Sequence, residues 1–134
     1  MALLTDEKIE ELDRLLTELK KQAGSGIPVI VEGADDIKAL RNLGVEGRFY
    51  KISGGKSMIH FIESFSGSEK VIVLTDFDRT GDELAKFCAR HLKQLDIEPI
   101  IEIRKKLKSI LHKEVKDIEG LAKFLLHQYA ELKN

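Results

Sequence analysis

Two short apolar runs that each lead into acidic residues constrain the fold of this chain most strongly. Glu32 follows Val29–Val31 directly, and Asp76 follows Val71–Leu74 after one threonine. Continuous runs rich in β-branched residues are typical of strands that are buried on both faces of a parallel sheet. The carboxyl ends of parallel strands share one edge, where ligands bind in open α/β sheets. The sequence therefore predicts that Glu32 and Asp76 lie close together if the two strands are neighbours.

The composition is that of a globular protein. The chain has 134 residues, of which 43% are hydrophobic and 34% are charged, and we expect a single domain. No apolar stretch approaches the roughly 20 residues needed to span a bilayer. The first residues also lack the basic and apolar segments of a signal peptide. We therefore expect a cytoplasmic protein with no membrane partner.

Strand and helix patterns alternate along most of the chain. Strands are predicted at residues 28–32, 48–52, 71–75 and 99–103, with helices at 5–23, 35–43, 56–65, 81–95 and 116–133. Short connections between alternating strands and helices imply a parallel sheet with right-handed crossovers. The predicted fold class is α/β, a three-layer sandwich with about four parallel strands. The first helix could pack on its own sheet or on a second copy, and packing within the chain is favoured.

The segment Asp76-Phe77-Asp78 is the first candidate for chemistry. Two aspartates beyond one strand suit Mg²⁺, which takes one or two protein carboxylates and keeps several waters. The alternative is that they are ordinary turn and cap residues before a helix. Glu32 at the end of another strand favours the metal site, although Asp35 or Asp36 could simply cap the next helix.

Two further segments carry features that suit phosphate. Gly54, Gly55 and Lys56 resemble the end of a phosphate-binding loop, but Tyr50 replaces the required first glycine, so a true P-loop is not expected. Exposed backbone N–H groups with Lys56 would still suit an anion, and a plain turn is the alternative. Residues 104–113 carry five basic residues and no acid. They form either a solvated helix face, with Leu107 packing inward, or a patch that contacts phosphate.

Asp76–Thr80 also matches the Asp-x-Asp-x-Thr motif of haloacid-dehalogenase-type phosphatases. Those enzymes hydrolyse phosphomonoesters through an aspartyl intermediate. They need a large core downstream of the motif, and 54 residues follow Thr80 here. This phosphatase interpretation is therefore the less favoured alternative.

Taken together, these residues resemble the Toprim domain of topoisomerases, bacterial-type primases, overcoming-lysogenisation-defect nucleases and the ribonuclease that matures 5S ribosomal RNA. The shared pattern is a glutamate that ends the first strand and an Asp-x-Asp that ends a later one. The resemblance covers a core of about residues 27–104. Val29–Asp36 is similar to the 5S-maturation ribonuclease. Asp76–Glu83 is similar to the type IA topoisomerase signature, with departures at Phe77, Thr80 and Asp82.

The resemblance implies roles for individual residues. Glu32 would act as general acid or base and also bind metal, while Asp76 and Asp78 would hold one or two Mg²⁺ ions, with Mn²⁺ as a substitute. Asp82 is a candidate additional acid. The candidate contacts to phosphate or nucleic acid are Gly54, Gly55, Lys56, Arg79 and Arg104.

The resemblance also implies the class of function. We expect a stand-alone Toprim protein, since the tyrosine domain of a topoisomerase and the zinc domain of a primase have no counterpart here. The favoured function is Mg²⁺-dependent nucleic-acid phosphodiester chemistry, either nuclease-like or nucleotidyl transfer, on RNA or DNA. The alternative is a non-catalytic, metal-dependent module that binds nucleic acid. A protein partner or a homodimer is a further expectation.

Overall fold

A four-stranded, all-parallel sheet flanked by helices forms the part of the chain that the computed structural model describes, residues 4–52, 57–111 and 115–133. The strands lie in the order β2-β1-β3-β4. They are β1 (Val29–Val31), β2 (Phe49–Lys51), β3 (Lys70–Val73) and β4 (Glu98–Ile100). The helices are α1 (Asp6–Gly24), α2 (Ala34–Asn42), α3 (Met58–Glu63), α4 (Arg79–Gln94), α5 (Glu102–Leu111) and α6 (Ile118–Lys133). The predicted α/β fold class with a parallel sheet is confirmed. Within the described segments, none of the helices has both the length and the apolar character to cross a membrane.

The central strands β1 and β3 pair directly, which brings their carboxyl ends together. Val29 is the register partner of Ile72, and Ile30 is the partner of Val73. All of these side chains are fully buried, because helices cover both faces of the sheet. The β-branched runs in the sequence reflect this double burial.

Two apolar cores lie on opposite faces of the sheet. Val29 and Val31 belong to one core, which also contains residues of α1, α2, α5 and α6. Ile30, whose side chain points to the other face, belongs to a second core with residues of α3 and α4. Leu12 and Leu19 of α1 are fully buried in the first core. The first helix therefore packs within its own chain, as favoured above.

The largest difference from the predicted elements lies at β4. We expected a strand over residues 99–103, but the strand ends at Ile100 and α5 begins at Glu102. Arg104 and Leu107 are both buried on the inner face of this helix. The described part of the basic segment is therefore helical with Leu107 inward, as expected for a helix face, and its contact with phosphate stays a prediction.

Candidate functional site

The ends of β1 and β3 bring together two of the acidic residues that the sequence singled out. Glu32 follows β1 directly, and Asp76 lies three residues beyond the end of β3. The backbone N–H of Asp76 donates a hydrogen bond of 2.6 Å to Oε2 of Glu32. Two residues earlier in each segment, the Leu74 N–H donates a hydrogen bond of 2.9 Å to the Ile30 carbonyl. The pairing of the strands thus continues into a contact between the two acidic segments.

A tight turn connects Asp76 to α4. Asp78 is the N-cap of α4, and its Oδ1 accepts a hydrogen bond of 2.7 Å from the Gly81 N–H. The buried Thr75 hydroxyl donates to the Gly81 carbonyl, also at 2.7 Å. A Cβ atom at Gly81 would lie 1.8 Å from the carbonyl oxygen of Asp76, so only glycine fits there. Asp78 is therefore a capping residue, as the alternative interpretation held, and it remains exposed beside Asp76.

Two more carboxylates lie near this turn. Asp36 is a buried residue in the first turn of α2, where it accepts a hydrogen bond of 3.1 Å from the Gly33 N–H. It therefore helps to cap this helix, as the alternative interpretation of Asp35 or Asp36 held. Asp117 precedes α6, and its segment is attached to the turn by a 2.6 Å hydrogen bond from the Phe77 N–H to the carbonyl of the neighbouring residue 116. Sequence reasoning missed Asp117, because its local signal is only that of a helix cap and its proximity to Asp76 depends on this long-range contact.

These carboxylates strongly affect the protonation of Asp76. Burial raises the pKa of Asp76 to about 7, with further contributions from the negative charges of Glu32, Asp36 and Asp117. Burial also raises the pKa of Asp36; the Gly33 N–H partly offsets this effect, and the charges of Asp117 and Glu32 add to it. The site therefore carries an excess of negative charge that a cation would neutralise.

The donor set fits Mg²⁺ in the form in which proteins usually hold it. Oδ1 of Asp76 is buried and has no hydrogen-bond partner among the described residues. In the described part of the chain, no three or more acidic, histidine or cysteine side chains form a group that could hold a metal ion by themselves. Mg²⁺ needs only one or two protein carboxylates because it retains several waters. Asp76 and the exposed Asp78 could supply those carboxylates, with Glu32 beside them.

Asp82 is engaged with α5 rather than with the other acids. Its carboxylate forms ion pairs with Arg104, at 2.7 Å, and with Lys108. Burial alone would raise the pKa of Asp82, but hydrogen bonds from Lys108 and Arg104 and their positive charges outweigh it, so the pKa lies below its ordinary value. Asp82 is thus a charged partner for two cations.

Arg104 occupies a different place from the surface contact that we expected. Only 5% of the residue is exposed, and its Nε donates to the Thr75 carbonyl at 3.1 Å while Nη2 donates to the Asp76 carbonyl. α5 begins early enough to turn Arg104 inward, and a contact of Arg104 with phosphate stays a prediction. These hydrogen bonds from Arg104 hold the backbone of Thr75 and Asp76 in place.

The remaining candidate contacts are only partly described. Arg79 is the first residue of α4 and is exposed next to Asp78. Gly54, Gly55 and Lys56 lie outside the described residues.

Comparison with known proteins places this geometry in a family. The family model of the Toprim domain matches residues 28–118, a span that begins just before β1 and ends at the first residue of α6. The UPF0292 protein of Methanosarcina barkeri is 39% identical over 117 residues, which are 86% of this chain and 80% of the relative. The UPF0292 protein of Methanocaldococcus jannaschii is 36% identical, over 90% of this chain and 94% of the relative. A solved structure of a protein from Aquifex aeolicus superimposes with a TM-score of 0.67 at 28% identity, covering 81% of this chain and 95% of that one. The chain therefore belongs to the Toprim-domain family, among the UPF0292 proteins.

Proposed function

We propose that this protein is a Mg²⁺-dependent enzyme that acts on phosphodiester bonds of nucleic acid, as a nuclease or in nucleotidyl transfer. Toprim membership supports a metal-dependent function connected with nucleic acid in general. The observation that carries the finer proposal is the contact between Glu32 and Asp76 at the carboxyl ends of β1 and β3. It combines an acidic residue from each central strand with a buried carboxylate oxygen of Asp76 that has no hydrogen-bond partner among the described residues.

In this proposal the three acidic residues have two different roles, metal binding and proton transfer. Asp76 and Asp78 hold Mg²⁺, for which Mn²⁺ can substitute, and Glu32 serves as general acid or base. Bound metal would neutralise charge on the reacting phosphate and align the attacking and leaving oxygens. Glu32 lies within hydrogen-bonding distance of the Asp76 backbone, which holds one carboxylate oxygen in place. A fixed carboxylate is well suited to transfer a proton at a defined position.

The residues around the acids support binding of a phosphate-rich partner. Arg79 is exposed beside Asp78, where its charge would attract a phosphate group to the metal. Arg104 serves the site indirectly, since its guanidinium holds the carbonyls of Thr75 and Asp76. The substrate contact proposed at Gly54, Gly55 and Lys56 rests on the sequence alone.

The test is cleavage of labelled single-stranded and structured RNA and DNA in Mg²⁺ or Mn²⁺. The parent is compared with the double variant Asp76→Asn, Asp78→Asn and with a matched control, Glu69→Gln, Asp96→Asn. The control removes two exposed acids that precede β3 and β4, at the amino-terminal ends of the strands and so away from the candidate site. Asparagine tolerates the positive φ of 59° at position 96. We expect the site variant to lose at least about a hundredfold in rate, as when a key electrostatic group is removed, and the control to retain its rate.

Three results would contradict the proposal. Equal cleavage by the site variant and the parent would show that these acids do not hold the essential metal. Metal-dependent binding of nucleic acid without cleavage would favour the non-catalytic module. Release of phosphate from small monoesters, with no action on nucleic acid, would favour the phosphatase.

A further inference from the structure

A large groove between α4 and α5 begins beside the candidate site. Its volume is about 1470 Å³, and its lining includes Asp82 and Asp78, the latter next to the candidate metal ligand Asp76. We call it the α4–α5 groove. Its cationic lining, apart from the buried Arg104, consists of Lys86, Arg90, Lys93, Lys105, Lys108 and Lys116.

The cations on α4 form a row that leads away from Asp78. Lys86, Arg90 and Lys93 follow Asp78 and Asp82 at intervals of three or four residues, so all five residues share one face of the helix. At 1.5 Å per residue, the row extends about 22 Å from Asp78. Its length greatly exceeds that of a single phosphate, so the groove suits a chain of negative charges.

The positive charge of the groove is largely available to a ligand. The carboxylate of Asp82 is already neutralised by Arg104 and Lys108. Lys86, Lys93 and Lys105 are exposed. Within the described segments they form no ion pair. The groove therefore presents a net positive surface directly beside the negative carboxylates of the site.

The floor of the groove is apolar, which narrows the kind of polyanion that fits. By floor we mean the apolar part of the lining, Phe77, Ala85, Ala89, Ile101 and Val115, of which all but Ile101 are more than nine-tenths buried. A single nucleic-acid strand has flat, weakly polar bases on one side and phosphates on the other, so it can cover apolar surface and contact cations at the same time. A duplex keeps its bases stacked inside, and an acidic peptide lacks comparable flat groups.

We propose that the α4–α5 groove binds a single-stranded segment of nucleic acid. Its phosphates contact Lys86, Arg90 and Lys93, its bases lie on the apolar floor, and the strand leads toward Asp78. The choice of nucleic acid as the partner rests on the proposed function. The groove supplies what that function leaves open, the strandedness of the substrate and its path across the protein.

The experiment measures binding separately from cleavage. Labelled single strands of RNA and DNA of about 12 nucleotides, within the range of known single-strand sites, are titrated in EDTA at several salt concentrations and followed by fluorescence anisotropy. Blunt duplexes of the same length and polyglutamate serve as competitors. The groove variant is Lys86→Glu, Arg90→Glu, Lys93→Glu, and the matched control is Arg14→Glu, Lys21→Glu, Lys38→Glu, which reverses three exposed charges on α1 and α2.

We expect the groove variant to bind single strands at least about tenfold more weakly than the parent. The slope of log affinity against log salt should fall by about 2, since three phosphate contacts on a single strand are lost. The control should stay within about twofold of the parent. A second variant with glutamine at the same three groove positions should show a smaller loss in the same direction, and circular dichroism of each variant verifies folding.

Several outcomes would overturn the groove proposal: equal weakening in both triple variants, tighter binding of the duplex or polyglutamate than of the single strand, or no binding of single strands by the parent. The assay also distinguishes this proposal from the proposed function. Loss of cleavage in the Asp76, Asp78 variant, with binding and cleavage unaffected in the groove variant, would overturn the groove alone. Groove-dependent binding with no cleavage by the parent would support the groove and contradict the proposed nuclease or transferase.

Discussion

Gly81 lies where α4 approaches the backbone of Asp76 too closely for any side chain. A Cβ atom at this position would be 1.8 Å from the Asp76 carbonyl oxygen and 2.6 Å from its carbon. The Gly81 carbonyl also accepts a hydrogen bond from the Thr75 hydroxyl, and the Gly81 N–H donates one to Oδ1 of Asp78, both at 2.7 Å. The shape of the acidic turn thus depends on the absence of one methyl group.

We predict that Gly81→Ala lowers the free energy of unfolding by about 1–5 kcal/mol. Displacement of the helix costs about 1–3 kcal/mol, and loss of the partner of the buried Thr75 hydroxyl adds about 1–3 kcal/mol, while the better helix propensity of alanine returns about 1 kcal/mol. Urea unfolding measures the change. Gly24→Ala is the matched control, because a Cβ there meets nothing within 4 Å, and it should be neutral or slightly stabilising. Equal stability of the two variants would contradict the argument.

At the scale of elements, α5 contacts the turn that carries Asp76 through its buried residue Arg104. This buried side chain donates to the carbonyls of Thr75 and Asp76 and forms an ion pair with Asp82 on α4. It therefore links three elements at one point. Exposed neighbours such as Lys105 make no comparable set of contacts among the described residues.

We predict that Arg104→Met costs about 2–6 kcal/mol of stability, because the carbonyls of Thr75 and Asp76 lose their partner at about 1–3 kcal/mol each, whereas the partly exposed carboxylate of Asp82 keeps Lys108. It should also weaken Mg²⁺ binding measured by calorimetry, since the Asp76 backbone loses its support. The control is Arg48→Met, which removes an exposed arginine that donates to the Gly26 carbonyl and should cost less than about 1 kcal/mol. A similar loss in both variants would show that the buried hydrogen bonds of Arg104 stabilise the fold no more than the contact of an exposed arginine.

The elements differ in how far their sequences determine them. β1 and β3 were predictable because burial on both faces demands a continuous β-branched run, and Thr5 marked the start of α1, where its hydroxyl accepts from the Lys8 N–H at 3.3 Å. β4 was extended too far because residues 99–103 are nearly all apolar, a pattern that a strand and a buried helix turn share. The error concealed Arg104, whose spacing of three residues from Leu107 places it on the inner face of α5. Asp117 could not be placed, because a helix cap contains no information about a contact some forty residues away in sequence.

At the scale of the whole molecule, the acidic site is assembled from segments that only folding brings together. Glu32 follows β1, Asp36 belongs to α2, Asp76 follows β3 and Asp117 precedes α6. In the unfolded chain these carboxylates are separated and solvated. Folding without metal therefore costs electrostatic free energy, and the cost depends on pH because ionised carboxylates repel one another.

The pKa of Asp76 gives that dependence its direction. Folding raises it from 3.8 to about 7, through burial and then through the charge of Glu32. An acid with a raised pKa in the folded state contributes its full stability below pH 3.8, where it is protonated in both states, and loses it progressively as pH rises through about 7.

We therefore predict that Asp76→Asn stabilises the metal-free protein at pH 8, by about 1–2 kcal/mol after allowance for its partial exposure, and has much less effect near pH 4. Urea unfolding in EDTA at the two pH values measures the difference. Asp96→Asn is the exposed control measured beside it. Equal effects of Asp76→Asn at both pH values would show that ionisation of the Asp76 carboxylate does not destabilise the folded protein.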